Sequence, residues 1–133
     1  MIIKNFEVNK INLRLNKLIL LYGKNEGYKN QVIKNIINDQ KNIFKYEERE
    51  ILDSPEVFIE NLLSSSLFEP KKIIIIKRVT DKILKIIEEI REIKLDDVTI
   101  VFIAENLEKR SKLRSSFEKN KRDVCVAFYP DNE

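Results

Sequence analysis

The stretch Gly23-Lys24-Asn25-Glu26-Gly27-Tyr28-Lys29-Asn30 follows an apolar run and spaces glycine and lysine in a way that invites phosphate chemistry. A phosphate loop needs Gly-x-x-x-x-Gly-Lys and then Ser or Thr. The glycines let backbone amides curl around the phosphates, the lysine balances their charge, and the hydroxyl holds magnesium. Here Gly23 fills the first position and Lys29 the lysine position. Tyr28 stands where the second glycine belongs, Asn30 where the hydroxyl belongs, and Gly27 comes one residue early. Tyr28 does not readily adopt the tight backbone that glycine permits. The other half of such a site is an acidic residue at the end of an apolar strand, which holds magnesium and prepares water. Ile73 to Ile76 instead runs into Lys77-Arg78, which reverses the required charge, and Val98 to Ala104 runs into Glu105-Asn106. The pattern reads as a strand-to-helix turn rather than a working nucleotide site.

Two other stretches could make contacts. Ser64-Ser65-Ser66-Leu67-Phe68-Glu69-Pro70 places two large apolar side chains together in a connection. Exposing them forfeits burial worth about 1.5–3 kcal/mol each. Leu67 and Phe68 therefore either fold back to plug the core or stand out as anchors for a pocket on a partner. Further on, Lys109, Arg110, Lys112, Arg114, Lys119, Lys121 and Arg122 outnumber Glu108, Glu118 and Asp123. Phosphate contact is one reading of that segment and a solvated helix face is the more usual one. No aromatic residues are interleaved for base stacking. Ser111, Ser115 and Ser116 have no histidine to activate them, because the chain has none. That absence also argues against zinc sites and histidine-based triads, so no catalytic, cofactor or metal residue is assigned.

The elements that must position these residues alternate. Lys17 to Tyr22, Ile43 to Tyr46 (or Glu50 to Leu52), Ile73 to Ile76, Val98 to Ala104 and Val124 to Phe128 read as strands. Glu26 to Asp39 has helical spacing, with Val32, Ile33, Ile36 and Ile37 on one face. A second helix starts at Ser54-Pro55-Glu56 and carries Phe58, Ile59, Leu62 and Leu63. Val79 to Ile93 starts at Thr80-Asp81 and turns Ile83, Ile86, Ile87 and Ile90 inward. Asn106 to Asn120 is a charged helix with Leu107, Leu113 and Phe117 as its thin apolar side. Strands alternating with helices predict an α/β domain: a five-stranded parallel sheet in three layers, with helices on both faces.

The bulk properties narrow the classes. A chain of 133 residues with 43% apolar and 35% charged residues makes one domain with a real core, not a disordered segment. A net charge of +3 does not call for a nucleic-acid partner. Cys125, alone in an apolar run, cannot form an internal disulfide, which suits a reducing cytoplasm and a buried core position. The apolar runs are too short to cross a bilayer, and no signal peptide is visible. The polar end Tyr129 to Glu133, with its proline, is expected to be a domain edge within a longer protein.

In order, Leu20 to Gly23 (LLYG), Ser66 to Phe68 (SLF) before KKIIIIK, and Lys109 to Leu113 within ENLEKRSKLRSSFEK resemble the first domain of the delta subunit of the bacterial DNA polymerase III clamp loader. The resemblance spans essentially all of residues 1–133. It implies a phosphate-loop ATPase fold of the AAA+ type without a functional nucleotide site and without a cofactor. It also implies that Leu67 and Phe68, presented by Ser66, enter an apolar pocket on the sliding clamp and help to open the ring. The implied partners are the clamp, the other loader subunits and, through the complex, DNA. Two other readings stand beside it. One is a divergent nucleotide-binding phosphotransferase or ATPase using Lys29; the other is a nucleic-acid-binding accessory domain using the basic segment.

Overall fold

In the computed structural model, residues 1–4, 11, 17–37, 42–63, 71–95 and 97–129 are described. Six strands among them form one sheet: β1 (Ile2–Lys4), β2 (Leu18–Tyr22), β3 (Asn42–Glu47), β4 (Lys72–Lys77), β5 (Val98–Ile103) and β6 (Val124–Ala127). Their order is β1-β6-β2-β5-β4-β3, and every pairing is parallel. The helices are α1 (Glu26–Ile37), α2 (Glu48–Asp53), α3 (Pro55–Leu63), α4 (Leu84–Arg91), which follows a 3-10 turn at Asp81–Ile83, and α5 (Lys112–Lys119).

The two-residue period of a strand explains why the apolar runs are unbroken. Ile73 and Ile75 point to one face of the sheet, and Ile74 and Ile76 to the other. All four are buried, because both faces are covered. On one side Val32 of α1 packs with Ile19, Leu21, Ile75 and Val101. On the other, Phe58 and Leu62 of α3, Ile86, Ile87 and Ile90 of α4, and Leu113 and Phe117 of α5 meet Leu20, Ile100 and Phe102. This is the expected three-layer arrangement. Cys125 lies in the second core, where burial pushes its thiol up to about 12.

The sheet has six strands and not five. The added strand, β1, is three residues long and pairs only with β6 at the sheet's edge, so it is too short to show a period. The ammonium of Met1 beside it donates to the carbonyls of Phe117, Asn120 and Asp123 at 2.6, 2.6 and 2.9 Å. Of the two candidates for the second predicted strand, 42–47 is the strand and Glu50–Leu52 is helical. There the Glu47 N–H donates to Glu50 Oε1 at 3.1 Å and starts a helix directly after the strand. The helix read over Asn106 to Asn120 is confined to Lys112–Lys119. Leu107 is buried as a tether ahead of it, and two acceptors fix its start. Ser111 Oγ accepts from the Arg114 N–H, and Asp81 accepts from the N–H groups of Lys112 and Leu113.

Candidate functional site

In open parallel sheets, ligands settle outside the carboxyl ends of the strands, where the chain changes direction across the sheet. Here that point is β2, flanked by β5 and β6, and its end is Gly23. Gly23 has φ +119, a conformation that favours glycine, and a Cβ there would overlap the Phe128 carbonyl. Its N–H donates to Glu105 O at 2.6 Å, and Asn25 N–H donates to Phe128 O at 3.2 Å. Tyr28 N–H goes to Asn25 Oδ1 at 3.1 Å, and Lys29 N–H to Asn25 O at 3.1 Å. The Tyr28 ring lies against Phe128, with centroids 5.3 Å apart. These four amides are thus committed to protein acceptors rather than held ready for an anion.

Lys29 is only 1% exposed. Its ammonium donates to Ala104 O at 3.0 Å and pairs with Glu26 Oε1 at 2.7 Å, so it braces the start of α1 against the end of β5. A phosphate could use Lys29 only by displacing Glu26. Glu26 was not anticipated from the sequence as this partner. The three-residue spacing on one helix was the available signal.

A second concavity lies one strand further along, between the turn after β4 and the turn after β5. It is an open groove of about 770 Å³. Arg78, Thr80, Asp81 and Lys82 line one wall, and Glu105, Asn106, Glu108, Arg110 and Lys112 the other. The walls are fixed by two carboxylates. Glu48, almost fully buried, accepts from the Thr80 N–H at 2.6 Å and from Thr80 Oγ1 at 2.9 Å. Asp81 accepts from Ser111 Oγ at 2.7 Å besides the two α5 amides, and these bonds, led by Ser111, hold its carboxyl below the usual carboxylate range. Asp81 was read from the sequence only as part of a helix start and Glu48 not at all, since nothing local marks residues 32 and 30 positions apart as partners.

The basic segment divides. Arg114 is half-buried and structural: it donates to Leu107 O and Glu118 and lies over the Tyr22 ring, 5.2 Å from its centroid. Lys109, Arg110 and Lys112 are exposed near the start of α5, and Lys119, Lys121 and Arg122 near its end. Ser66, Leu67 and Phe68 lie outside the described residues, between Leu63 at the end of α3 and Lys72 at the start of β4. Among the described residues no group of His, Cys, Asp and Glu is arranged to hold a metal, and no helix is long and apolar enough to cross a membrane.

The family model described as DNA polymerase III, delta subunit, matches residues 20–128. Among solved structures, the Bacillus subtilis DNA clamp loader delta protein aligns over 94% of this chain and 42% of its own, with a TM-score of 0.69 and 18% identity. Saccharomyces cerevisiae RIF2 aligns over 95% of this chain and 53% of its own, with a TM-score of 0.58 and 12% identity. The chain thus spans less than half of the first protein and about half of the second. At these identities the likeness is one of fold. No curated protein matches the sequence.

Proposed function

The chain belongs to the DNA polymerase III delta subunit family, and on that premise we propose that it is the clamp-binding, AAA+-like domain of a clamp loader. The family match over 20–128 carries this reading. The geometry after β2 agrees with it: amides and a lysine committed to the protein suit a subunit that leaves ATP to its neighbours. The work assigned to the domain is then binding, not bond-breaking. A ring opens on binding only if its open form is held more tightly than its closed form.

Leu67 and Phe68 are proposed as the anchor that enters the clamp, with Ser66 presenting them. The connection that carries them is tied at both ends. Phe58 and Leu62 of α3 are buried before it, and Ile73 to Ile76 of β4 are buried after it. An anchor on a tethered connection loses less freedom on binding than one on a free tail. The proposed partners are the sliding clamp and other loader subunits, with DNA reached through the complex and the cytoplasm as the place of action.

The test is capture of the purified cognate clamp by the whole chain, wild type against Leu67→Ala with Phe68→Ala. Binding is expected to fall by about a hundredfold or more, as for truncated anchor residues, with Tm preserved. A double variant that binds the clamp like wild type, or that unfolds, defeats the assignment.

A further inference from the structure

We propose that the groove between the β4 and β5 turns is a docking surface for a carboxylate-bearing segment of a partner protein. Three independent observations meet there. The first is position: the groove opens at the carboxyl ends of parallel strands, beside the crevice that Glu26, Lys29 and Phe128 have closed. The second is strain. Arg78, on its rim, has φ 58 and is the sole non-glycine residue with positive φ among those described. The cost of that conformation is sustained by the surrounding structure: Val79 N–H donates to Ile103 O at 3.1 Å, and Thr80 is held by Glu48. The third is unspent charge. Arg78 is 78% exposed and its Nε is 3.7 Å from Glu47, a loose contact. Lys82 and Lys112 have their ammonium groups in no ion pair among the described residues.

The acidic groups of the groove are differently placed. Asp81 is spent on the start of α5, and Glu108 is held by Arg110 at 2.7 Å. Glu105 is the remaining acid, outnumbered by Arg78, Lys82 and Lys112, so the available charge is cationic on balance, and a planar guanidinium on a fixed backbone suits a carboxylate. A nucleic-acid strand fits less well. It carries a negative charge about every 3.4 Å, so its phosphates would also face Glu105, Glu108 and Asp81. Among the described residues no aromatic side chain lines the groove for a base to stack on. A protein segment can place single carboxylates opposite Arg78, Lys82 and Lys112 and keep uncharged residues opposite the acids.

The experiment is fluorescence anisotropy of a labelled peptide alternating Glu with Ser and Leu, titrated with the whole chain. A labelled DNA duplex is the second probe. Saturable peptide binding is expected, weakened about tenfold by Arg78→Gly and further by Lys82→Glu with Lys112→Glu. Lys119→Glu with Lys121→Glu, at the far end of α5, leaves it unchanged. Arg78→Gly separates function from structure, because glycine accepts φ 58 freely: its Tm equals or exceeds wild type while its peptide binding drops. The proposal is overturned if wild type shows no saturable peptide binding, or if the far-end reversal weakens binding equally. It is also overturned if Arg78→Gly melts early yet binds normally, or if the duplex binds through these residues and the peptide does not.

Discussion

Two regions sit at the carboxyl ends of neighbouring strands, and they have opposite fates. After β2, Gly23 and Asn25 donate to carbonyls that follow β5 and β6, and the buried Lys29 ammonium is held by Ala104 O and by the exposed Glu26 carboxylate. After β4 and β5, carboxylates fix the walls and exposed cations remain at the rim. The same sheet position thus becomes a structural joint in one case and an open surface in the other. What decides is whether the chain supplies its own partners. Where it does, a residue with ligand-binding chemistry contributes to stability, and changing it should affect folding rather than binding.

The largest effect is therefore expected at the joint. Gly23→Ala combines a strained φ with overlap on the Phe128 backbone, at about 1–3 kcal/mol for each. Urea denaturation should show a loss of about 3–4 kcal/mol; a loss below about 1 kcal/mol would mean that the joint yields easily. Lys29→Met comes next. It keeps the aliphatic stem but leaves Ala104 O without its donor, at a cost of about 1–3 kcal/mol. Magnesium-ATP should leave the Tm of the wild-type chain unmoved. A shift that disappears in Lys29→Met would turn the joint back into a binding site.

How far the sequence revealed this division depends on the range of the interaction. Ile73 to Ile76 and Val98 to Ile103 announced a sheet covered on both faces, because burial of consecutive side chains leaves a continuous apolar run. Thr80 announced a helix start, and its hydroxyl accepts from the Lys82 N–H. The mismatch at Tyr28 and Asn30 discouraged a phosphate reading of the turn on local grounds alone. Phe128 fills the turn from 105 residues away, and no local pattern encodes that. Arg78 was read only as the wrong charge for magnesium; its left-handed backbone belongs to a turn set by Glu48 and Ile103. Leu67 and Phe68 were legible as a choice between plug and anchor, and the family resemblance favours the anchor.

A smaller effect should distinguish the groove's walls from its rim. Asp81 is a wall: Asp81→Asn should cost about 1–2 kcal/mol, since it weakens the acceptor set at the start of α5. The sign with pH follows from its lowered folded pKa. Its contribution is fully present above the ordinary value of 3.8 and is lost as pH falls through the lower folded value. Asp123 works in the other direction. Burial raises its carboxyl despite Arg91 at 2.8 Å, so folding loses stability as pH rises from 3.8 through the raised value. Denaturation curves from about pH 6 to about pH 3 should therefore fall less steeply at the acid end for Asp81→Asn than for wild type. Equal slopes would show that the carboxylate is not held by α5.

The smallest effect belongs to the rim, and it carries the comparison furthest. Arg110 and Glu108 form a pair with both members mostly exposed, at 88% and 67%. Such a pair gains little from Coulomb attraction in water and loses side-chain freedom, so Arg110→Ala should change stability by no more than about 0.5 kcal/mol. Buried Cys125 supplies an internal check, because a thiol pushed up to about 12 and shielded by β-sheet reacts only when the core opens. Labelling by a thiol reagent should be fast in Gly23→Ala, where the joint is strained, and as slow in Arg110→Ala as in wild type. If Arg110→Ala exposes the thiol, the rim is part of the core's support. The contrast between a self-completed joint and an uncommitted surface would then collapse.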